Sequence, residues 1–95
     1  MFDTFLFDSV EYGYKVKKYL IGLERKDKKN FVRVCKFIEI IKFGKEIDKR
    51  YKTHKYHKKE GYFISHIRHD LVIIWARKKE GTIVIEDIGT HQKVF

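Results

Sequence analysis

Five histidines, His54, His57, His66, His69 and His91, fall within the last forty-five residues of a 95-residue chain. Imidazole has an unperturbed pKa of about 6.5, so such side chains can take a proton at one step of a reaction and return one at another. The same stretch contains residues 49–59, where six Lys or Arg (Lys49, Arg50, Lys52, Lys55, Lys58, Lys59) stand with no acid among them. Cations in that density displace counterions from phosphates, and the interleaved Tyr51 and Tyr56 offer faces on which a base can stack. Proton-transfer groups set in a polyanion-attracting segment suit RNA chemistry. Internal attack by a ribose 2′-OH needs a base for the hydroxyl proton, an acid for the departing 5′-oxygen and positive charge on the phosphorane.

Those residues need a scaffold, and composition permits one. Hydrophobic residues are 43% and aromatics 16% of the chain, the make-up of a globule rather than of a disordered basic tail. Residues 1–95 are expected to form one domain. Twenty-two Lys and Arg against thirteen Asp and Glu leave a charge of +9, which favours nucleic acid, an anionic surface or an acidic protein. Cys35 stands alone, which forbids an internal disulfide or a cysteine-based metal cage and fits a reducing, cytoplasmic home. Charged residues interrupt every apolar run, so neither a secretory leader nor a membrane span is expected.

The first half reads as strand, helix, helix. Residues 2–7 suit a strand that stops at Asp8, and Asp8 with Glu11 resembles a capping box opening a helix whose stripe is Val10, Tyr14, Val16, Leu20 and Leu23. In the second helix Phe31, Val34, Cys35, Ile38 and Ile41 recur at i, i+3, i+4, i+7, with Asp27 or Asn30 as entry cap and Gly44 as the stop. Cys35 lies in that stripe and reads as a small buried hydrophobe. Residues 61–68, 70–77 and 82–88 are rich in β-branched and aromatic residues and joined tightly, which predicts an antiparallel meander with residues 71–76 as its central strand. The expected architecture is α+β, β-α-α-β-β-β, with both helices on one sheet face.

Tyr51-Lys52-Thr53-His54, Gly61-Tyr62, residues 66–75 from His66 through Asp70 to Trp75, and the closing Gly89-Thr90-His91-Gln92-Lys93-Val94-Phe95 resemble the YafQ-like branch of the RelE superfamily of toxin ribonucleases. The resemblance implies a toxin of a type II toxin–antitoxin pair that cleaves messenger RNA in the decoding site of the ribosome and is silenced by a cognate antitoxin, without metal or cofactor. Carried over by position, the family's functional set falls on His54, His66, Asp70, His91 and Phe95. His66 and His91 are then the principal acid–base candidates, with Asp70 orienting an imidazole or contacting the sugar and His54 binding phosphate or sharing proton transfer. Phe95 would stack on a base, and His57, Arg68 and Arg77 join the six cations of residues 49–59 as RNA-binding candidates. The chain departs from the family at Asp87, where an arginine is common, and at Leu71, where a relative has tryptophan. An acid at Asp87 reverses the sign of a charge that would face the phosphate, leaving Arg68, Arg77 or a lysine of the basic run to supply it.

Each residue also has an ordinary explanation. A histidine in a strand is most often half-buried and structural, an aspartate at a strand junction forms turns, a charge run is usually solvated, and Phe95 could plug the core. Two other classes compete with the ribonuclease. One is a four-histidine zinc site from His54, His57, His66 and His69, which would need a turn between the last two. The other is an attenuated or non-catalytic module that binds RNA or an antitoxin through the same basic surface.

Overall fold

A computed structural model describes residues 10–90. The first expected strand, residues 2–7, therefore lies outside the described residues, as do His91 and Phe95. Val10–Tyr12 form a strand, β1, and the first helix, α1, runs Tyr14–Lys26. This corrects the expected helix start: Val10 and Glu11 belong to β1, and the helix is capped by Gly13, with no side-chain hydrogen bond. Gly13 is fitted to its place because its N–H donates to Ile85 O at 3.0 Å and an added Cβ would sit 3.1 Å from Glu86 O. The bare backbone lets the chain turn from sheet to helix while touching the neighbouring strand.

Asp27 closes one helix and opens the next. Its N–H donates to Leu23 O at 2.8 Å, and its carboxylate accepts from Asn30 N at 3.3 Å and Asn30 Nδ2 at 2.9 Å. The second helix, α2, covers Lys28–Lys42 and buries Phe31, Val34, Phe37, Ile38 and Ile41. It ends as expected at Gly44, whose φ of +67° lets Lys45 N donate back to Ile40 O at 3.0 Å. The Arg77 guanidinium donates to Ile41 O, so a cation from the sheet serves the carbonyl end of α2.

Past a 3-10 turn at Lys49–Tyr51 come β2 (His54–Lys55), β3 (Phe63–Arg68), β4 (Leu71–Arg77) and β5 (Ile83–Gly89). The sheet order is β1-β5-β4-β3-β2, antiparallel throughout except that β1 lies parallel to β5. The meander was legible in sequence; β2, two residues inside the basic run, was not.

Alternation divides the sheet. Leu71, Ile73 and Trp75 of β4 and Ile83, Ile85 and Ile88 of β5 face the helices and join their apolar stripes in the core. The odd spacing from Ile85 to Ile88 is absorbed by a bulge opposite Ile74 and Trp75, which returns Ile88 to the helix side and leaves Asp87 opposite Ile74 on the other. That second face carries a smaller cluster of Ile64, Val72 and Ile74, against which Tyr56 and Tyr62 pack. Tyr51 was expected to offer a stacking surface and does not: it is buried against Phe37, with ring centroids 4.9 Å apart.

Candidate functional site

His54 pairs with Ile64, and His66 lies two residues further along β3, so both histidines project from the sheet face opposite the helices. Their ring centroids are 6.0 Å apart with an interplanar angle of 28°. The pairing of β2 with β3 brings together two histidines twelve residues apart in the chain.

The approach to His54 is held from both sides. Thr53 Oγ1 lies 2.7 Å from Ser65 Oγ, and the buried Ser65 hydroxyl accepts from Trp75 Nε1 at 3.0 Å. A polar chain running Trp75, Ser65, Thr53 thus ties the residue before His54 to the central strand. On its other side Lys52 adopts a left-handed conformation, φ 47° and ψ 42°, the one non-glycine residue at positive φ among those described. A side chain there costs roughly 1–2 kcal/mol and persists where its surroundings impose it. The turn presents Lys52 O to His54 Nδ1 at 2.8 Å. A carbonyl only accepts, so Nδ1 carries the hydrogen, and in neutral His54 the lone pair is on Nε2.

Beside the pair lies a hollow of about 440 Å³ lined by Arg50, Lys52, His66, Ile67, Arg68 and His69. Three permanent cations and two imidazoles around one depression make it a setting for a phosphodiester. Arg33 and Lys36 of α2 continue this surface, lining a second depression together with Arg50, Tyr51 and Ile67. Sequence reading passed over these two because, on the polar side of an amphipathic helix, they look like ordinary solvated residues.

Other candidates are placed elsewhere. Lys55 and His57 line a different hollow at the far side of His54. Lys59 reaches across to β5, where it pairs with Glu86 at 3.1 Å, a hydrogen bond that raises its pKa. Arg77 is turned to the helix side, with its guanidinium at the end of α2 and 5.9 Å from the Trp75 ring centroid. Arg77, expected among the RNA-binding cations, is thus placed on the sheet face away from the histidine pair. Lys49 and Lys58 are exposed, Lys49 in the 3-10 turn.

Asp70 sits in the exposed joint between β3 and β4 and lies near enough to the α1 residue Tyr19 to add to the rise in that phenol's pKa, of which burial is the larger cause. Asp87 occupies the same cross-strand row as His54, through Ile74 and Ile64. Two sheet spacings separate its strand from that of His66, about 10 Å. Its Oδ1 accepts from Ile88 N at 2.8 Å. Among the described residues no three His, Cys, Asp or Glu side chains gather as a metal would require, and no helix is long and apolar enough to cross a membrane.

A family described as the bacterial toxin of type II toxin-antitoxin system, YafQ, matches residues 9–95. The fold is similar to that of the toxin in the E. coli DinJ-YafQ toxin-antitoxin complex, with TM-score 0.76 at 22% identity over 90% of this chain and 94% of that one. A metal-bound toxin from Helicobacter pylori gives TM-score 0.76 at 22% identity over 90% and 97% of the two chains. The YoeB-YefM complex from Staphylococcus aureus gives 0.72 at 15% identity over 86% and 94%. At such identities the likeness is one of fold. No curated protein matches the chain by sequence.

Proposed function

Because this chain belongs to the YafQ family of toxins of bacterial type II toxin–antitoxin systems, we propose that it is an endoribonuclease that cleaves messenger RNA on the ribosome and is held inactive by a cognate antitoxin. The observation that carries this reading is the pair of facing imidazoles, His54 and His66, at the edge of a hollow lined by Arg50, Lys52 and Arg68. The hydrogen bond to Lys52 O leaves His54 Nε2 as a proton acceptor. His54 then takes the 2′-OH proton as that oxygen attacks phosphorus. The bond to the 5′-oxygen breaks, and a protonated imidazole, His66 or His91, supplies the leaving proton. His91 enters through the family motif, since it lies outside the described residues.

Arg50, Lys52 and Arg68 meet the charge that gathers on the phosphorane. Acid, base and cations together suffice for this reaction. The relatives solved as complexes hold DinJ and YefM; an antitoxin for this chain would bring the acidic surface that its +9 charge favours.

Asp87 favours a second reading, an attenuated module that binds RNA or antitoxin without cutting. Induced expression of the wild type beside His54→Ala and His66→Ala, scored for growth arrest and for cuts mapped on messages, separates the two. The ribonuclease reading expects arrest with cut transcripts for the wild type and neither for the variants. Arrest with intact messages would establish the binding module instead.

A further inference from the structure

We propose that the hollow beyond His54, lined by Lys55, Tyr56, His57, Glu60, Gly61 and Tyr62, is a subsite for the nucleobase next to the scissile phosphate, selective for guanine. The inference rests on the ribonuclease reading and adds to it a site and a ligand. The hollow measures about 450 Å³, ample for a purine. It begins one residue from His54, because Lys55, the other half of β2, is part of its wall. Lys55 turns to the helix side with its partner Phe63, but Tyr56 and Tyr62 pack on the sheet face from which His54 and His66 project, so a base seated against them belongs to a nucleotide adjoining the one whose phosphate meets the histidines.

The walls are held before any ligand arrives. Tyr56 N donates to Tyr62 O at 2.9 Å, Lys59 N to Tyr56 O and Tyr62 N to Lys59 O at 3.3 Å each, and Gly61 makes the turn with a φ of +84°. The Lys59–Glu86 pair moors this loop to β5 across the sheet face. Lys59 also stands 4.6 Å from the centroid of the Tyr62 ring. Both tyrosines are only half-buried, although their small cluster with Ile64, Val72 and Ile74 is otherwise closed. Aromatic rings beside a lysine-rich segment form the combination that single-stranded RNA recognises, stacking for the base and cations for the backbone.

Glu60 sets the preference. Among the described residues it is the one carboxylate lining the hollow, and an ionised carboxylate can only accept hydrogen bonds. Guanine presents two adjacent donors, N1–H and N2–H, that fit its two oxygens together. Adenine and cytosine offer one exocyclic amine flanked by an acceptor, and uracil a single N–H flanked by carbonyls that the carboxylate would repel.

The test uses the whole protein and short fluorescein-labelled oligoribonucleotides, 2′-O-methylated to block cleavage, with an abasic site or each base placed in turn at every position. Anisotropy should show one position where loss of the base weakens binding about tenfold and where guanine binds best. Tyr56→Ala should abolish that position's effect, and Glu60→Gln should remove the guanine preference while leaving the stacking. A flat abasic profile with intact RNA affinity would overturn the subsite and leave the ribonuclease reading standing. No measurable binding of any oligonucleotide, on or off ribosomes, would overturn both. Because the abasic scan alters only the RNA, its result is independent of how the variants fold.

Discussion

At His54 a backbone carbonyl decides which ring nitrogen carries the hydrogen. With Nδ1–H donated to Lys52 O, His54→Asn and His54→Gln should each lower kcat by about 10²–10⁴-fold with RNA affinity held, since neither amide accepts a proton at neutral pH. Single-turnover cleavage alongside anisotropy reads both quantities. At Asp87, distance decides the size of the effect. A charge about 10 Å away acts with roughly 0.4–1.7 kcal/mol between effective dielectrics of 80 and 20, so Asp87→Asn, which keeps an acceptor for Ile88 N, should raise kcat/KM by about two- to twentyfold. An unchanged kcat/KM would show that the carboxylate does not sense the phosphate. Cys35 gives a contrasting case. Burial first, and Glu24 second, push its thiol up to about 11, so alkylation should be slow at pH 8 and accelerate only above about pH 10. The sign for stability follows: with the folded pKa above the unfolded one, this contribution is whole below about pH 9 and fades as pH rises through 11.

At the scale of elements, the joints carry most of what can be tested. Asp27 serves two helices at once, and Asp27→Ala should lower stability by about 1 kcal/mol, read as a shift in urea midpoint with unchanged slope. Arg77→Ala should cost about 1–2 kcal/mol by leaving the α2 terminus without its cation, yet spare cleavage measured well below the melting range. A loss of RNA affinity in that variant at full fold would return Arg77 to the binding surface. The helices, their stops and the meander were readable because a stripe at period 3.6 and an alternation at period 2 are local signals. β1 was not, since Val10 and Tyr14 stand four apart and mimic a helical stripe. It takes the parallel pairing with β5, seventy-three residues onward in sequence, to make Val10–Tyr12 a strand.

Across the whole molecule, cations gather on the surface around the histidine pair, from Arg33 and Lys36 on α2 through Arg50, Lys52 and Arg68. Binding to single-stranded RNA should therefore weaken steeply with salt, with a log–log slope of about −0.7 for each phosphate neutralised. Arg50→Gln should make that slope shallower by about 0.7 without changing base preference. A salt-independent affinity would mean that this surface does not bind a phosphate backbone.

Composition and order alone determined the class of this chain: a basic α+β protein whose histidines, tyrosines and lysines share one stretch, with a closing motif that resembles the YafQ-like toxins. Local periodicity is written in neighbouring residues, and so are caps and turns. What only the tertiary structure decided is which of those residues share a space. A two-residue strand brings His54 alongside His66, a left-handed lysine fixes the ring's hydrogen, and a bulge places Asp87 on the same face but two strands away from His66. Arg77, equally basic in sequence, is claimed by the end of a helix. Such contacts arise from strand register and side-chain direction, long-range quantities that no window of sequence contains.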